Sequence, residues 1–404
     1  MLDGIRVLDL AGEPGFLAGK VLGDLGADVV KVEPPGGDRA GRRGPWLGGG
    51  VDPEASLPWL ALNTSKRGIT LDPAAEAGRP LFEALLAGAD VLLESFAPGH
   101  LDAMGFGWER LRTAHPRLVH CAVTPFGQDG PYAHYRGHDL VTVAMGGNLA
   151  LTGDPDRPPV RCSLPTAYLH AAPEAALGVV MALLARESSG RGQQVDVSLQ
   201  ECQLQSLLGG VGVAVATGRR PRRSGARTGP TREIWPAKDG WVSFGLRGGV
   251  ARVPNLVATV DWMTECGAAP DWLRGMDWER FDHRRLEAVD VARLEAAFGA
   301  FFRTRTMREL YEEALRRRIL LAPCNDAREI LEHPQLRERG LFVRIEYPEL
   351  GASLEHPDFF ARTGDRAVRI RRPAPRIGEH NAEVYGELGV GEAELARLAA
   401  AGVV

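Results

Sequence analysis

The chain has 404 residues, 48 basic against 52 acidic, a net charge of −4 and 44% hydrophobic side chains. That length allows two to four domains at roughly 100–200 residues each, with enough apolar mass for substantial cores. The two signs of charge are interspersed, which excludes a nucleic-acid-binding stripe or an acidic tail and leaves a small or mixed-charge ligand as the expected partner.

Cys121, Cys162, Cys202, Cys266 and Cys324 are widely spaced singletons with no CxxC pair. The pattern fits a reduced cytosol and argues against a disulfide framework or structural zinc. Asp3, Arg6 and Asp9 interrupt the opening residues where a signal peptide needs an apolar core. The longest apolar run, Ala175 to Ala185, is far short of the ~20 residues that span a bilayer. The expectation is a cytoplasmic protein off the membrane, with no metal and no permanently bound cofactor.

In chain order, IRVLDL (Ile5–Leu10) predicts a buried strand, GFLAGKVLGDLGA (Gly15–Ala27) an amphipathic helix and DVVKVE (Asp28–Glu33) a second strand. This is a βαβ unit with a parallel pair. Strand ITLD, helix PAAEAGRPLFEALLAGA, strand DVLLES, the helix around WERLRTA and strand LVHCAVTPF continue the alternation, predicting an open α/β sheet. After QQVDVSL, one long helix is expected from Gln200 to Thr217, followed by the Arg/Gly/Pro linker GRRPRRSGARTGP. EIWPAKDGWVSFGL then predicts a hairpin turning at Asp239-Gly240, and charged helical segments to about residue 320 complete a smaller α+β domain. From LFVRIEYPELG onward, short strands with prolines end in an Ala/Leu/Glu helix.

Four stretches carry candidate chemistry. The first βα turn, AGEPG (Ala11–Gly15), has Glu33 about 20 residues on, where a dinucleotide-binding acid would sit, but GxGxxG is absent and NAD is not expected. The turn still offers helix amides to an anion. Lys66 and Arg67 in NTSKRG, just before a strand, and Phe96 and Met104 in ESFAPGHLDAMGF suit a phosphate and an apolar or purine group respectively; solvated charge and ordinary core are the plainer readings. YRGHDL offers Arg136, His138 and Asp139 in succession, either a proton donor and acceptor beside a carboxylate or a helix start opened by Asp139 with His138 half-exposed. SSGRGQQVDVS reads as a helix stop and strand entry.

Taken in order, VLDLAGEPGFLAGKVLGDLGADVVKVEPPGGD, LNTSKRGITLD, ADVLLESFAPGHLDAMGFGWERL, PRLVHCAVTPFGQDGPY, ALGVVMALLARESSGRGQQVDVSLQE and APCNDAREILEHPQLRERGLF resemble the family III CoA-transferases, the CaiB/BaiF group. The resemblance implies a Rossmann-like large domain built from residues 1–218 and 331–404, a small domain over 219–330, and two chains interlocked as a dimer. It implies transfer of CoA from an acyl-CoA to a carboxylic acid through a nucleophilic Asp. The CoA site carries over to Glu13, Pro14, Lys66, Ser95, Phe96, Met104 and Arg136. Ser95, Ala97 and Ala103 stand where relatives often have Arg or Asn, and RRSGARTG (Arg222–Gly229) replaces the glycine-rich loop that closes over intermediates in some relatives.

The main departure is in SLPTAYLHAAPEAALG (Ser163–Gly178), where the family's nucleophilic Asp falls on Tyr168. A phenol with an ordinary pKa near 10 is protonated at neutral pH, and its ester does not replace an acyl-carboxylate anhydride that a thiolate opens. PTAYLHA is similar to the Asp-lacking subunits of benzylsuccinate-type CoA-transferases, which pair with an Asp-bearing paralogue, so a homodimer or such a heterodimer is expected. Two other readings stay open: an acyl-CoA racemase or isomerase using His138 with Tyr168 or His170, and a non-catalytic acyl-CoA-binding protein. Glu174, six positions on, is a substitute nucleophile or a helix first-turn acid.

Overall fold

The structure is a computed structural model that describes residues 1–38, 41–205, 207–364 and 368–404. It divides into two compact units: residues 1–149, 161–220 and 335–404 form the first, residues 150–160 and 221–334 the second.

The first unit is built on six parallel strands, β1 (Arg6–Asp9), β2 (Asp28–Glu33), β3 (Lys66–Thr70), β4 (Val91–Glu94), β5 (Val119–Thr124) and β6 (Gln194–Ser198), in the order β3-β2-β1-β4-β5-β6. This is the doubly wound order expected of an open Rossmann-like sheet. Both faces are buried, and the two-residue period of the strands divides their side chains between them. Val7, Val29, Val91 and Leu93 face one core; Leu8, Val30 and Leu92 face the other. The first core is closed by α1 (Phe16–Asp24) and by α3 (Thr166–Ser189), whose Ala167, Ala171, Ala175, Val179 and Ala182 are buried. Between these two helices in the chain lies α2 (Asp139–Met145).

By length and composition α3 is apolar enough to cross a membrane, a point the run-length argument missed because Pro173, Glu174 and Arg186 interrupt the sequence but not the helix. Its alanine face is a core face. The single helix expected over 200–217 is two helices, α4 (Leu199–Gln205) and α5 (Leu208–Thr217).

The tail returns to the first unit through the hairpin β12 (Phe342–Tyr347) and β13 (Ala352–Pro357) and the helix Asn381–Glu387. Asn381 Oδ1 accepts the Thr70 N–H at 2.9 Å, while Glu383 and Glu387 pair with Arg67 at 2.9 and 2.6 Å, so the helix is fastened along β3.

In the second unit, β9 (Ile234–Pro236), β10 (Trp241–Phe244) and β11 (Leu321–Pro323) form an antiparallel sheet around Trp235, Phe244, Phe298 and Phe302. The hairpin at Asp239-Gly240 is present, with Trp241 opposite Pro236. The segment 150–160 also belongs here: the Arg223 guanidinium donates to the carbonyls of Ala150, Asp154 and Arg157 at 3.0–3.1 Å. Arg222–Gly229 leads into the two-stranded ribbon β7 (Arg227–Thr228) and β8 (Thr231–Arg232), tied down by a bidentate Arg227–Glu295 pair with both bonds at 2.7 Å.

Candidate active site

The sheet order reverses between β1 and β4, and the carboxyl ends of the strands leave a crevice there, the usual ligand site of a doubly wound fold. A cavity of about 730 Å³ opens at this point. It runs across the strand ends from Leu71–Ala74 after β3, past Val32–Pro34 and Gly12–Pro14, to Ser95 and Phe96 after β4, with Tyr168 from the first turn of α3 in its wall.

The first βα turn is held from both sides. Asp9 Oδ1 accepts the Ala11 N–H at 2.9 Å, and Ser95 Oγ accepts the Gly12 N–H at 2.8 Å. Beneath, the buried Lys31 ammonium donates to the Ala11 carbonyl and to the Asp9 carbonyl at 3.3 Å. Glu13–Gly15 then forms a single 3-10 turn leading directly into α1. The turn thus keeps its shape without the glycine fingerprint of a dinucleotide fold. Glu33 is no ribose ligand either, because Arg42 grips its carboxylate at 2.7 and 2.8 Å.

Glu13, Pro14, Ser95, Phe96, Met104 and Tyr168 come together in the cavity wall from four separated stretches of sequence. The Phe96 ring lies 4.7 Å from the His100 ring, and the Glu13 carboxylate pairs with Arg43, Nε to Oε2 at 3.2 Å.

Lys66 is elsewhere. The strand begins at Lys66 rather than after it, so the side chain is committed to the layer between sheet and α1. There it is wholly buried, donating at 2.8 Å to Asp9 Oδ2, to Asn63 Oδ1 and to the Phe16 carbonyl. All three ammonium hydrogens are spent, so Lys66 has none left for a phosphate. Burial pushes its pKa down to about 8, with Asp9 opposing. The close approach explains Gly19 on α1: any Cβ there would collide with Asp9 Oδ2 and Lys66 Nζ. Arg67 faces the opposite side, paired with Asp28, Glu383 and Glu387.

Arg136 and His138 are exposed, and neither lines the cavity. His138 occupies the N-cap position of α2 without capping through its side chain. Asp139 is turned inward: its carboxylate accepts the Ala167 N–H at 2.7 Å, and its own N–H donates to Tyr168 Oη at 3.1 Å. Glu174 and His170 are exposed on α3, and neither lines the cavity.

Burial pushes the Tyr168 pKa up, the Glu13 and Asp139 carboxylates push the same way, and the Asp139 N–H and Arg43 oppose. The phenol therefore keeps its proton at neutral pH, which leaves it with a hydrogen to donate and makes it a poor nucleophile. Lys31, Arg43, His100 and Asp72–Ala74 are neighbours of the site that sequence reasoning missed. His100 was legible in principle, since it follows the Pro-Gly turn at a strand end; Lys31 was not, since it sits inside a strand. Among the described residues, no group of three or more His, Cys, Asp or Glu side chains is arranged to hold a metal ion.

This geometry agrees with what the chain is similar to. A sequence profile of CoA-transferase family III matches residues 2–381. The succinyl-CoA:(R)-benzylsuccinate CoA-transferase subunit BbsE of Thauera aromatica is 36% identical over 401 residues, 99% of this chain and 97% of that protein. The formyl-CoA:oxalate CoA-transferase of Streptomyces avermitilis is 33% identical, covering 100% and 99% of the two chains, and the succinyl-CoA–D-citramalate CoA-transferase of Chloroflexus aurantiacus 32%, covering 100% and 98%. A CAIB/BAIF family protein from Brucella suis superposes with a TM-score of 0.81 at 29% identity, over 96% of this chain and 99% of that one. The chain belongs to CoA-transferase family III.

Proposed function

We propose that this chain is the subunit without a nucleophile in a two-subunit CoA-transferase, paired with a chain of the same fold that carries Asp at the Tyr168 position. The observation that carries the reading is Tyr168 itself, a protonated phenol in the wall of the strand-end cavity. The similarity to a relative whose name is that of a subunit supports it. Substrates are an acyl-CoA and a carboxylic acid, the classes named in the titles of several relatives, with the acyl-CoA lying against Glu13, Pro14, Ser95, Phe96 and Met104.

A paired chain needs a surface to dock on. Leu177, Met181 and Leu184 stand exposed along one stripe of α3, and Val211, Val213 and Val215 are exposed on α5. Apolar side chains grouped in this way suit association with a second chain, as in an interlocked dimer. The racemase reading lacks comparable support, since the His138 imidazole is exposed and off the cavity. The test is to express the chain alone and with an Asp-bearing paralogue, then assay CoA transfer between carboxylic acids. Co-purification with activity only in the pair supports the proposal; brisk transfer by the lone chain refutes it.

A further inference from the structure

Two hydroxyl groups in the cavity wall are bound in the same manner. Ser95 Oγ accepts the Gly12 N–H at 2.8 Å, and Tyr168 Oη accepts the Asp139 N–H at 3.1 Å. In each case the oxygen has a backbone donor, while among the described residues the hydroxyl hydrogen has no acceptor. A hydroxyl rotates its hydrogen to suit, so each is a donor waiting for a ligand oxygen.

Tyr168 cannot drift from this arrangement. Its oxygen is held by the Asp139 N–H, and the Asp139 carboxylate is held in turn by the Ala167 N–H at 2.7 Å, one residue before Tyr168 on α3. The loop before α2 and the start of α3 are therefore tied to each other through these two bonds. Nearby, the Glu13 carboxylate is paired with Arg43, so its charge is already offset where the ligand passes. The cavity runs across the strand ends from Leu71–Ala74 after β3 to Ser95 and Phe96 after β4, with Tyr168 in its wall, so a ligand extended along it passes the Tyr168 hydroxyl.

We infer that Tyr168 is a specificity-determining donor that holds the thioester carbonyl oxygen of a bound acyl-CoA, so that this chain binds acyl-CoA in preference to CoA without reacting with it. This rests on the reading that the cavity takes CoA thioesters. No bond is made or broken: a side chain that donates to the carbonyl oxygen stands where an acceptor-only carboxylate would attack the carbonyl carbon. The free protein thus selects its ligand by the oxygen that distinguishes a thioester from a thiol or thioether.

The experiment is calorimetric titration of the purified full chain with acetyl-CoA, with CoA, and with S-ethyl-CoA, a thioether that keeps every pantetheine amide and lacks only the thioester oxygen. Acetyl-CoA should bind about 5- to 10-fold more tightly than S-ethyl-CoA, the ratio a neutral hydrogen bond supplies. Tyr168→Phe should bring that ratio to about one and leave S-ethyl-CoA affinity where it was. A wild-type ratio near one overturns the inference and leaves the CoA site intact. So does a Tyr168→Phe variant that weakens all three ligands equally, because the hydroxyl would then serve the pantetheine arm. No binding of any of the three overturns the CoA-site reading and the inference with it. Unchanged thermal melting of Tyr168→Phe separates ligand effects from folding.

Discussion

The backbone N–H of Asp139 donates to Tyr168 Oη at 3.1 Å, so a residue from the GHD stretch and the residue in the nucleophile's place are partners in one hydrogen-bonded lock. The lock closes through the Asp139 carboxylate and the Ala167 N–H at 2.7 Å, which satisfies an otherwise unpaired donor in the first turn of α3.

Removing that carboxylate should loosen both elements. Asp139→Ala is expected to cost about 1 kcal/mol, the usual worth of a helix-start acceptor, while Asp139→Asn keeps an acceptor oxygen and most of the stability. Urea unfolding of the two variants tests this; equal losses would show that the Ala167 contact contributes nothing.

Lys66 should behave as a structural cation. Lys66→Met leaves the buried Asp9 with Lys31 at 3.5 Å as its remaining cation and is expected to destabilise by about 3 kcal/mol. The pH dependence has a definite sign. Because the folded pKa is depressed to about 8 from 10.5, holding the ammonium costs stability below about pH 8, and the cost fades as pH rises toward 10.5. The wild type should therefore gain on Lys66→Met across that window. A variant with unchanged melting temperature and lost CoA affinity would instead make Lys66 a phosphate ligand.

Burial holds the Tyr168 phenol above its ordinary pKa of 10.0, so its donor proton stays in place. The acetyl-CoA to S-ethyl-CoA affinity ratio is expected to stay flat between about pH 6 and 9. A ratio that collapses with a midpoint inside this range would mean that the phenol ionises there.

The β7–β8 ribbon should be slow to open. Glu295→Ala removes both bonds to Arg227 and the acceptor of the Arg232 N–H, at an expected cost of about 1 kcal/mol given the exposure of Arg227. Faster amide exchange at Thr231–Arg232 in the variant is the readout; identical exchange would mean the pair does not restrain the ribbon.

The exposed stripe on α3 is expected to carry association. Met181→Glu, 62% exposed, and Leu184→Glu, 73% exposed, should fold normally yet abolish pairing in light scattering and co-purification. Pairing that survives both substitutions would place the docking surface elsewhere.

Much of this was legible in the sequence because strand, turn and strand-end positions announce themselves locally. The βαβ opening, the Asp239-Gly240 hairpin and the gathering of Glu13, Ser95, Phe96 and Met104 at strand ends follow from periodicity, turn residues and resemblance. The misreading of Lys66 arose because a cation at a strand's first position looks solvated until a buried acid 57 residues away, Asp9, gives it a partner. Arg136 entered through the resemblance and His138 through its place beside Asp139, but both are exposed and off the cavity, and it is Asp139 that bonds Tyr168 and Ala167. The assignment of 150–160 to the second unit through Arg223 depends on contacts some 70 residues apart in the chain, with no local signature.

The most direct test of the account is to trap covalent intermediates during turnover. The chain and an Asp-bearing paralogue are incubated with succinyl-CoA and an acceptor carboxylate, quenched with hydroxylamine or borohydride, and weighed subunit by subunit by intact mass spectrometry. The account predicts a modified Asp on the paralogue and an unmodified mass for this chain, with no adduct on Tyr168 or Glu174. An acyl or CoA-derived adduct on this chain, formed at the rate of turnover, would contradict it.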